Sequence, residues 1–129
     1  MPAVATTGTC GTSHVRTYQA TAANQLRGLA LVQGADDAHL ATAAAANAPA
    51  FAIQAESILN AGDPLLAVLE GETIAIAGAA VAAGQYVITD AAGRLVPSAA
   101  IGDNVVGRAI SSAAVLGDEF VILVSPFIR

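Results

Sequence analysis

Short apolar runs separated by turn-forming residues dominate the hydrophobic pattern of this chain. Runs rich in Val, Ile and Tyr alternate with stretches of Gly, Asp and Asn, most clearly after residue 79. The apolar runs suit a pleated, half-buried backbone, whereas Gly, Asp and Asn suit turns. The pattern therefore predicts a mainly β domain, a small antiparallel barrel or sandwich. The predicted strands are segments 14–18, 28–33, 39–42, 51–55, 65–69, 73–77, 85–89, 94–96, 104–112 and 119–124.

Two hairpins are predicted from the spacing of these runs. The Glu-Gly-Glu triplet at 70–72 separates two of the runs and suits a short hairpin loop. In the tetrapeptide 90–93, Asp90 in the first position and Gly93 in the last fit a type I turn closed by a left-handed residue. The run 119–124 is apolar at consecutive positions, so we expect both faces of that strand to be covered.

Gly-Asp pairs recur just before apolar strands. They are Gly62-Asp63, Gly102-Asp103 and Gly117-Asp118. Their irregular spacing argues against a solenoid and indicates one turn used repeatedly at the rim of a barrel or sandwich. The alanine-rich segment 41–50 has helical composition, but it is short and Pro49 closes it. It is therefore predicted to be a loop or a short strand.

The composition predicts a thin core and a weakly charged, acidic surface. Alanine is the commonest residue, and the chain has three Phe, two Tyr and no Trp. Each buried position therefore contributes little area, and burial against other subunits would offset the modest stability of a monomer. A formal charge of −5, with five Arg and no Lys, argues against binding nucleic acid or an anionic membrane. The low charged fraction, 12%, is typical of a surface largely covered by partners.

Residues 1–13 are small and polar, and we expect them to form an extended arm on a single β-rich domain, residues 14–129. Cys10 is the only cysteine, so an intrachain disulfide is excluded. The N-terminal segment has neither a cationic start nor a long apolar run, and the uncharged stretch in 73–89 is interrupted by Gly and Gln. We therefore expect synthesis in the cytoplasm, with no classical export and no membrane span.

Residue types that carry chemistry are few and poorly arranged. Cys10 and His14 are four residues apart, but no acid is placed to orient them as a catalytic dyad. His14, His39, Asp36 and Asp37 could be assembled into a metal site, yet their spacing matches no standard ligand pattern. Asp36 and Asp37 fit a solvated turn better. We expect no catalytic, cofactor or metal site from these residues.

The remaining polar candidates also have ordinary structural interpretations. Glu70 and Glu72 could share a face for acid–base chemistry, but a hairpin tip suits solubility and edge protection. The sequence contains no phosphate-binding loop and no nucleophile elbow. The aromatic residues are dispersed, which favours core anchors over a stacking platform. For Arg94 and Arg108, solvation and pairing with a carboxylate of a neighbouring subunit both remain open.

Two motifs and an apolar last strand in segment 62–129 resemble the head decoration, or capsid cement, proteins of tailed phages. The first motif comprises Val81, Ala83, Gly84, Gln85, Val87, Asp90, Gly93, Arg94 and Leu95. The second comprises Gly102, Asp103, Val105, Gly107 and Ala109. The resemblance is weaker over residues 28–55, and the N-terminal arm does not carry it.

This resemblance implies a small, non-enzymatic β-barrel-like protein on the exterior of the virion capsid. It would bind and bridge major capsid proteins as a homo-oligomer, a trimer rather than a dimer, without nucleic acid, membrane or cofactor. The arm would contact the shell, and the residues expected to do so are Pro2, Val4, Thr6, Thr7 and Thr9. The alternative is a carbohydrate-binding β-barrel module of a virion or surface, although the absence of Trp argues against it.

Overall fold

The computed structural model describes residues 14–129, which form nine β-strands and no helix within that range. The mainly β fold predicted from the sequence is confirmed. The predicted arm, residues 1–13, lies outside the described residues. The strands are β1 (His14–Ala20), β2 (Ala30–Gln33), β3 (His39–Thr42), β4 (Ala52–Gln54), β5 (Pro64–Ile76), β6 (Tyr86–Thr89), β7 (Leu95–Pro97), β8 (Asn104–Ala109) and β9 (Glu119–Ile128).

The long strand β5 belongs to two successive groups of strands. Its first half pairs with β1 and β4, and the order β1-β3-β2-β4-β5-β1 closes a five-stranded barrel. Its second half pairs with β9 and starts the order β5-β9-β8-β6-β7. All these pairings are antiparallel except β1 with β3. We call residues 14–70 the first unit and residues 71–128 the second unit.

The hairpin predicted at residues 70–72 is wrong. The strand runs straight through this triplet, and Gly71, with φ of +111°, lies where its pairing passes from the first unit to the second. A glycine at positive φ lets a strand change direction without reversing it. A short Gly-containing triplet between apolar runs is thus compatible with a bend as well as with a turn.

The two units repeat the same register. In the first unit β1 pairs with β5 from Val15–Val68 to Gln19–Pro64, and in the second β5 pairs with β9 from Glu72–Leu123 to Ile76–Glu119. The one parallel contact is also repeated, as Ala20–Leu40 and Ala77–Leu95. Matching hydrogen bonds accompany it: Ala20 N–H donates to Asp63 O at 3.0 Å, and Ala77 N–H donates to Asp118 O at 2.8 Å. The chain is therefore a tandem pair of one five-stranded unit, with β5 shared between them.

Two clusters form the core. One lies inside the first unit, and its buried members are Ala20, Leu31, Leu40, Ala52, Leu65 and Ala67. The other contains the interior of the second unit, including Phe120, Ile122 and Val124, and also Ala30, Ile53 and Val68 of the first unit. The outer side of the first unit is thus part of the second unit's core. Many of the buried positions are alanine, in agreement with the thin core expected from composition.

The second face of strand β9 is only partly covered, since Val121 is half-buried and Leu123 is exposed, so the prediction of two covered faces is wrong. Phe120, Ile122 and Val124 are buried, whereas Leu123 is 41% exposed. Alternate side chains of a strand point to opposite faces. One face of β9 points into the second unit, and on the other face the described residues leave Leu123 partly open to solvent.

The alanine-rich segment forms a loop, residues 43–50, which lies across the second unit. Thr89 is fully buried beneath it; its hydroxyl accepts a hydrogen bond from Ala48 N–H at 2.8 Å and donates one to Ala45 O at 3.0 Å. Asn47 has φ of +55° and bonds to Asn104. These polar contacts hold the first unit's loop against the second unit.

Candidate interaction surface

The three Gly-Asp pairs have one common geometry. Gly62, Gly102 and Gly117 have φ between +87° and +96°. The carboxylate of the following Asp accepts the N–H of the residue three positions before it, at 2.9 to 3.2 Å. Asp103 additionally accepts from the Ser98 hydroxyl at 2.8 Å. That hydroxyl, followed by the Ala100 N–H, lowers the pKa of the Asp103 carboxyl.

Two further turns of this type, which were not predicted, contain Gln in place of Asp. Gln25 Oε1 accepts from Ala22 N–H, and Gln85 Oε1 accepts from Ala82 N–H, both at 2.8 Å. The sequences Ala-Ala-Asn-Gln at 22–25 and Ala-Ala-Gly-Gln at 82–85 were the available clue. In all five turns the side-chain oxygen closes the turn onto the backbone. The side chains of these residues are used to position the strands.

The turn at residues 90–93 likewise uses its acid internally. Asp90 Oδ1 accepts from Ala92 N–H at 2.8 Å and from Arg94 N–H at 3.0 Å, and Gly93 has φ of +83°. Arg94 Nε also lies 3.2 Å from Asp90 Oδ2. Arg94 is thus paired with a carboxylate of its own chain. Arg108 Nε donates to a backbone carbonyl, Gly84 O, at 3.2 Å, so pairing of Arg108 with a carboxylate of a neighbouring subunit stays a prediction.

The structure does not assemble the residues considered for a metal site. Asp36 Oδ1 lies 2.7 Å from His39 Nδ1, and this hydrogen bond is the first cause of the lowered pKa of Asp36. His39 is paired with Gln19 across β1 and β3, whereas His14 lies at the other end of β1 beside Glu70. Five residues of strand separate His14 from Gln19, roughly 16 Å. No group of three or more His, Cys, Asp or Glu suited to a metal ion occurs in the described part of the chain.

Glu70 and Glu72 lie along the continuous strand β5 instead of at a hairpin tip. Both side chains are exposed, and their register partners are His14 on β1 and Leu123 on β9. Cys10 lies outside the described residues. Among residues 14–129, no helix is long and apolar enough to cross a membrane.

An exposed, partly aromatic surface on the second unit was not predicted. Tyr86, Arg108 and Leu123 are direct register partners across β6, β8 and β9 and therefore share one face. The Tyr86 and Phe127 rings make an edge-to-face contact with centroids 5.2 Å apart. The Arg129 guanidinium lies 5.8 Å from the Tyr86 ring centroid. We call these five residues the β6–β8–β9 face.

The interpretation of all aromatic residues as core anchors is therefore wrong for Tyr86 and Phe127. Tyr86 is 40% and Phe127 41% exposed, whereas Phe120 is 2% exposed. Tyr18 and Phe51 are partly buried against the first unit's core. Phe127 lies three residues beyond Val124, after a register shift that displaces the end of β9. The sequence spacing between residues 86 and 127 gave no indication that these two rings meet.

No protein-family model matches the chain, and no curated protein sequence matches it. Among solved structures, the fold is similar to the crystal structure of the N base of the head fiber gp8.5 in bacteriophage phi29. The TM-score is 0.65, the sequences are 24% identical, and the match covers 88% of this chain and 95% of that chain. The chain therefore has the fold of a phage head-fiber base, and the small β-barrel-like fold implied by the sequence resemblance is confirmed.

Proposed function

We propose that this protein is a capsid decoration protein, which binds the exterior of a tailed-phage head and bridges neighbouring copies of the major capsid protein. The observation that carries the proposal is the fold shared over 88% of the chain with the base of a phage head fiber. The decoration-protein motifs in segment 62–129 agree with it. The phage head is therefore the site at which we expect this chain to act.

The physical mechanism is preferential binding to the assembled shell. A protein that binds the shell but not its separated subunits stabilises the shell by mass action. Because the same site repeats over the head, each contact need only be modest. The described residues suit this passive role, since their turn carboxylates bond to the backbone and their outer surface is rich in exposed apolar groups. No step of this mechanism needs a catalytic group or a cofactor.

The proposal assigns the arm, residues 1–13, to the shell and the β domain to self-assembly. Extended polar segments bind partners through backbone hydrogen bonds and alternate side chains. The residues assigned to the shell are Pro2, Val4, Thr6, Thr7 and Thr9. The self-assembled form is a trimer, which would place several arms on the shell at once.

The direct test uses heads made without this protein. Purified protein is mixed with such heads, and bound protein is measured by co-sedimentation and located by electron microscopy. We expect saturable binding, added density on the outer surface, and heads that release their contents at a higher temperature. Failure to bind the heads, or binding to a glycan panel in place of heads, would refute the decoration role.

The arm is tested in the same assay with a chain lacking residues 1–13. We expect it to unfold at the same temperature as the full chain and to lose at least tenfold in affinity for heads. A full-length variant in which Pro2, Val4, Thr6, Thr7 and Thr9 are all changed to Gly tests the same point if the shortened chain does not fold. Normal decoration by either folded protein would show that the arm is not the shell contact.

A further inference from the structure

The outer face of the first unit is buried inside the chain. Ala30, Ile53 and Val68 are register partners across β2, β4 and β5, and they are 0%, 0% and 4% exposed. All three belong to the core cluster of the second unit. Ala30 N–H also donates to Gly93 O, in the β6–β7 turn of the second unit, at 2.8 Å. This face of the repeat is therefore one that packs against another unit.

The same face of the second unit has no such cover. By register, Tyr86, Arg108 and Leu123 occupy the positions that Ala30, Ile53 and Val68 occupy in the first unit. Tyr86 and Leu123 are 40% and 41% exposed, and a depression of about 290 Å³ lies beside Arg108 and Leu123. No third unit follows the second within residues 14–129 to cover them.

We infer that a second copy of this chain covers the β6–β8–β9 face, through a head-to-tail contact that repeats the junction inside each chain. The first unit of the second copy takes the place that the second unit takes within the chain. This inference rests on the self-assembly included in the proposed function and names the surfaces that carry it.

The receiving surface on the first unit is an open groove of about 550 Å³ between β1, the β2–β3 turn and the start of β5. Gln19 and Pro64 line it. Their register equivalents in the second unit are Ile76 and Glu119. Those two line the junction inside the chain, where Arg27 Nη2 lies 2.6 Å from Glu119 Oε2 and Ile76 N–H donates to Gly28 O at 3.0 Å. The groove is therefore at the position that already receives a unit in the other half of the molecule.

The charges of the two surfaces are complementary. The β6–β8–β9 face carries the cations Arg108 and Arg129, with Glu72 at its edge beside Leu123. The groove is bordered by Asp37, with Asp36 next to it, and by Arg16. Complementary charges at the edge of an apolar contact fix the partner and its orientation. Because the two surfaces are different parts of the chain, the contact is heterologous and does not give a twofold dimer. A heterologous contact gives a ring where the rotation between copies closes, and the proposed trimer requires that closure.

The test measures the oligomeric state of the full-length protein, without heads, by native mass spectrometry and sedimentation velocity over a range of concentrations. We expect the wild type to form a closed ring. Leu123→Asp places a carboxylate in the contact and should weaken association at least tenfold, without changing the circular dichroism spectrum. Leu116→Asp is the matched control, because Leu116 is a comparably exposed leucine, 56%, in the turn before β9. It should assemble as the wild type does. Phe127→Ser repeats the test if Leu123→Asp does not fold.

A mixing experiment tests the head-to-tail geometry. Asp37→Arg disables the groove and Leu123→Asp disables the face, so each variant alone should be monomeric. Mixed together, they keep one intact face and one intact groove and should form a 1:1 heterodimer that grows no further. Charge reversal in the double variant Asp37→Arg/Arg108→Glu should restore part of the wild-type assembly.

Three outcomes would overturn the inference. They are a wild type that stays monomeric at all concentrations, a Leu123→Asp variant that assembles normally, and an Asp37→Arg variant that dimerises alone through the exposed face. A monomeric wild type whose face cross-links to residues 1–13 would identify the arm as the occupant. Because the assay contains no heads, each of these results leaves the test of head binding unaffected.

Discussion

Asn47 and Asn104 are joined by two hydrogen bonds across the junction between the units. Asn104 N–H donates to Asn47 Oδ1 at 2.7 Å, and Asn104 Nδ2 donates to Asn47 O at 2.9 Å. Asn47 lies in the alanine-rich loop and Asn104 starts β8. A residue with positive φ and a side-chain acceptor is needed at position 47, and asparagine supplies both.

Replacing Asn47→Ala should lower the free energy of unfolding by about 2 to 4 kcal/mol. The change removes the acceptor of a partly buried N–H, about 1 to 3 kcal/mol, and places a Cβ-bearing residue without a compensating polar group at positive φ, about 1 kcal/mol. Urea denaturation measures the loss. The matched control is Asn24→Ala, because Asn24 also has positive φ, +59°, and its side chain makes no hydrogen bond within the described residues. Equal losses in the two variants would contradict the role of the Asn47–Asn104 pair.

Gly93→Ala should be more damaging than an alanine at another left-handed glycine. An added Cβ at Gly93 would lie 2.7 Å from Thr42 Cγ2 and 3.1 Å from Ala43 O, both in the first unit. Overpacking and positive φ together cost about 2 to 4 kcal/mol. At Gly102 φ is +96° and no atom lies within 4 Å of an added Cβ. Gly102→Ala should therefore lower the free energy of unfolding by only about 1 to 2 kcal/mol.

Urea denaturation also shows whether Thr42 is the neighbour that causes the loss of stability in Gly93→Ala. Adding Thr42→Ser to Gly93→Ala removes the methyl group that the new Cβ meets and should recover part of the lost stability. No recovery, or an equal loss at Gly93 and Gly102, would show that the close approach between the units does not limit this position.

Asp103 should make the free energy of unfolding depend on pH in the acid range. Hydrogen bonds from the Ser98 hydroxyl and the Ala100 N–H lower its pKa in the folded protein. A carboxyl with a lowered folded-state pKa stabilises the fold above its ordinary pKa. That stabilisation is lost as the pH falls through the folded-state pKa, below about pH 4. The stability difference between wild type and Asp103→Asn should therefore be complete at pH 6 and shrink below pH 4.

Urea denaturation at several pH values, with NMR titration of the Asp103 carboxyl, checks this expectation. Ser98→Ala removes the largest cause of the shift, so it should raise the pKa of Asp103 towards its ordinary value and move the loss of stability to higher pH. Asp36, whose pKa is also lowered, is present in all three proteins and cancels from the comparison. A difference between wild type and Asp103→Asn that does not change with pH would contradict the prediction.

Local patterns made most of the strands predictable. Alternation in Tyr86–Thr89 and the turn chemistry of residues 90–93 depend on neighbours only a few positions apart. The same locality made the Gly-Asp turns predictable. The Gln turns at 25 and 85 escaped notice because only the side-chain hydrogen bonds of the folded chain make Gln and Asp equivalent.

Long-range packing decided the features that were mispredicted. At Gly71 the strand β5 continues from the first unit into the second and does not reverse, because its first half pairs with β1 and its second half with β9. The β6–β8–β9 face was missed because Tyr86 and Phe127 meet only once β6, β8 and β9 are assembled. Hydrophobic periodicity identifies the faces of a strand, but it does not say which face is covered.

The sequence by itself determined the β class, the positions of most strands and the places where glycine and acidic residues make turns. These properties follow from backbone preferences over a few residues. The tertiary structure decided that the chain is a tandem pair of one unit, and that Val68 is buried while its equivalent, Leu123, is exposed. Burial of a face depends on contacts between segments far apart in the chain, such as Ala30 and Gly93, and the same local pattern is compatible with a core position or an open surface.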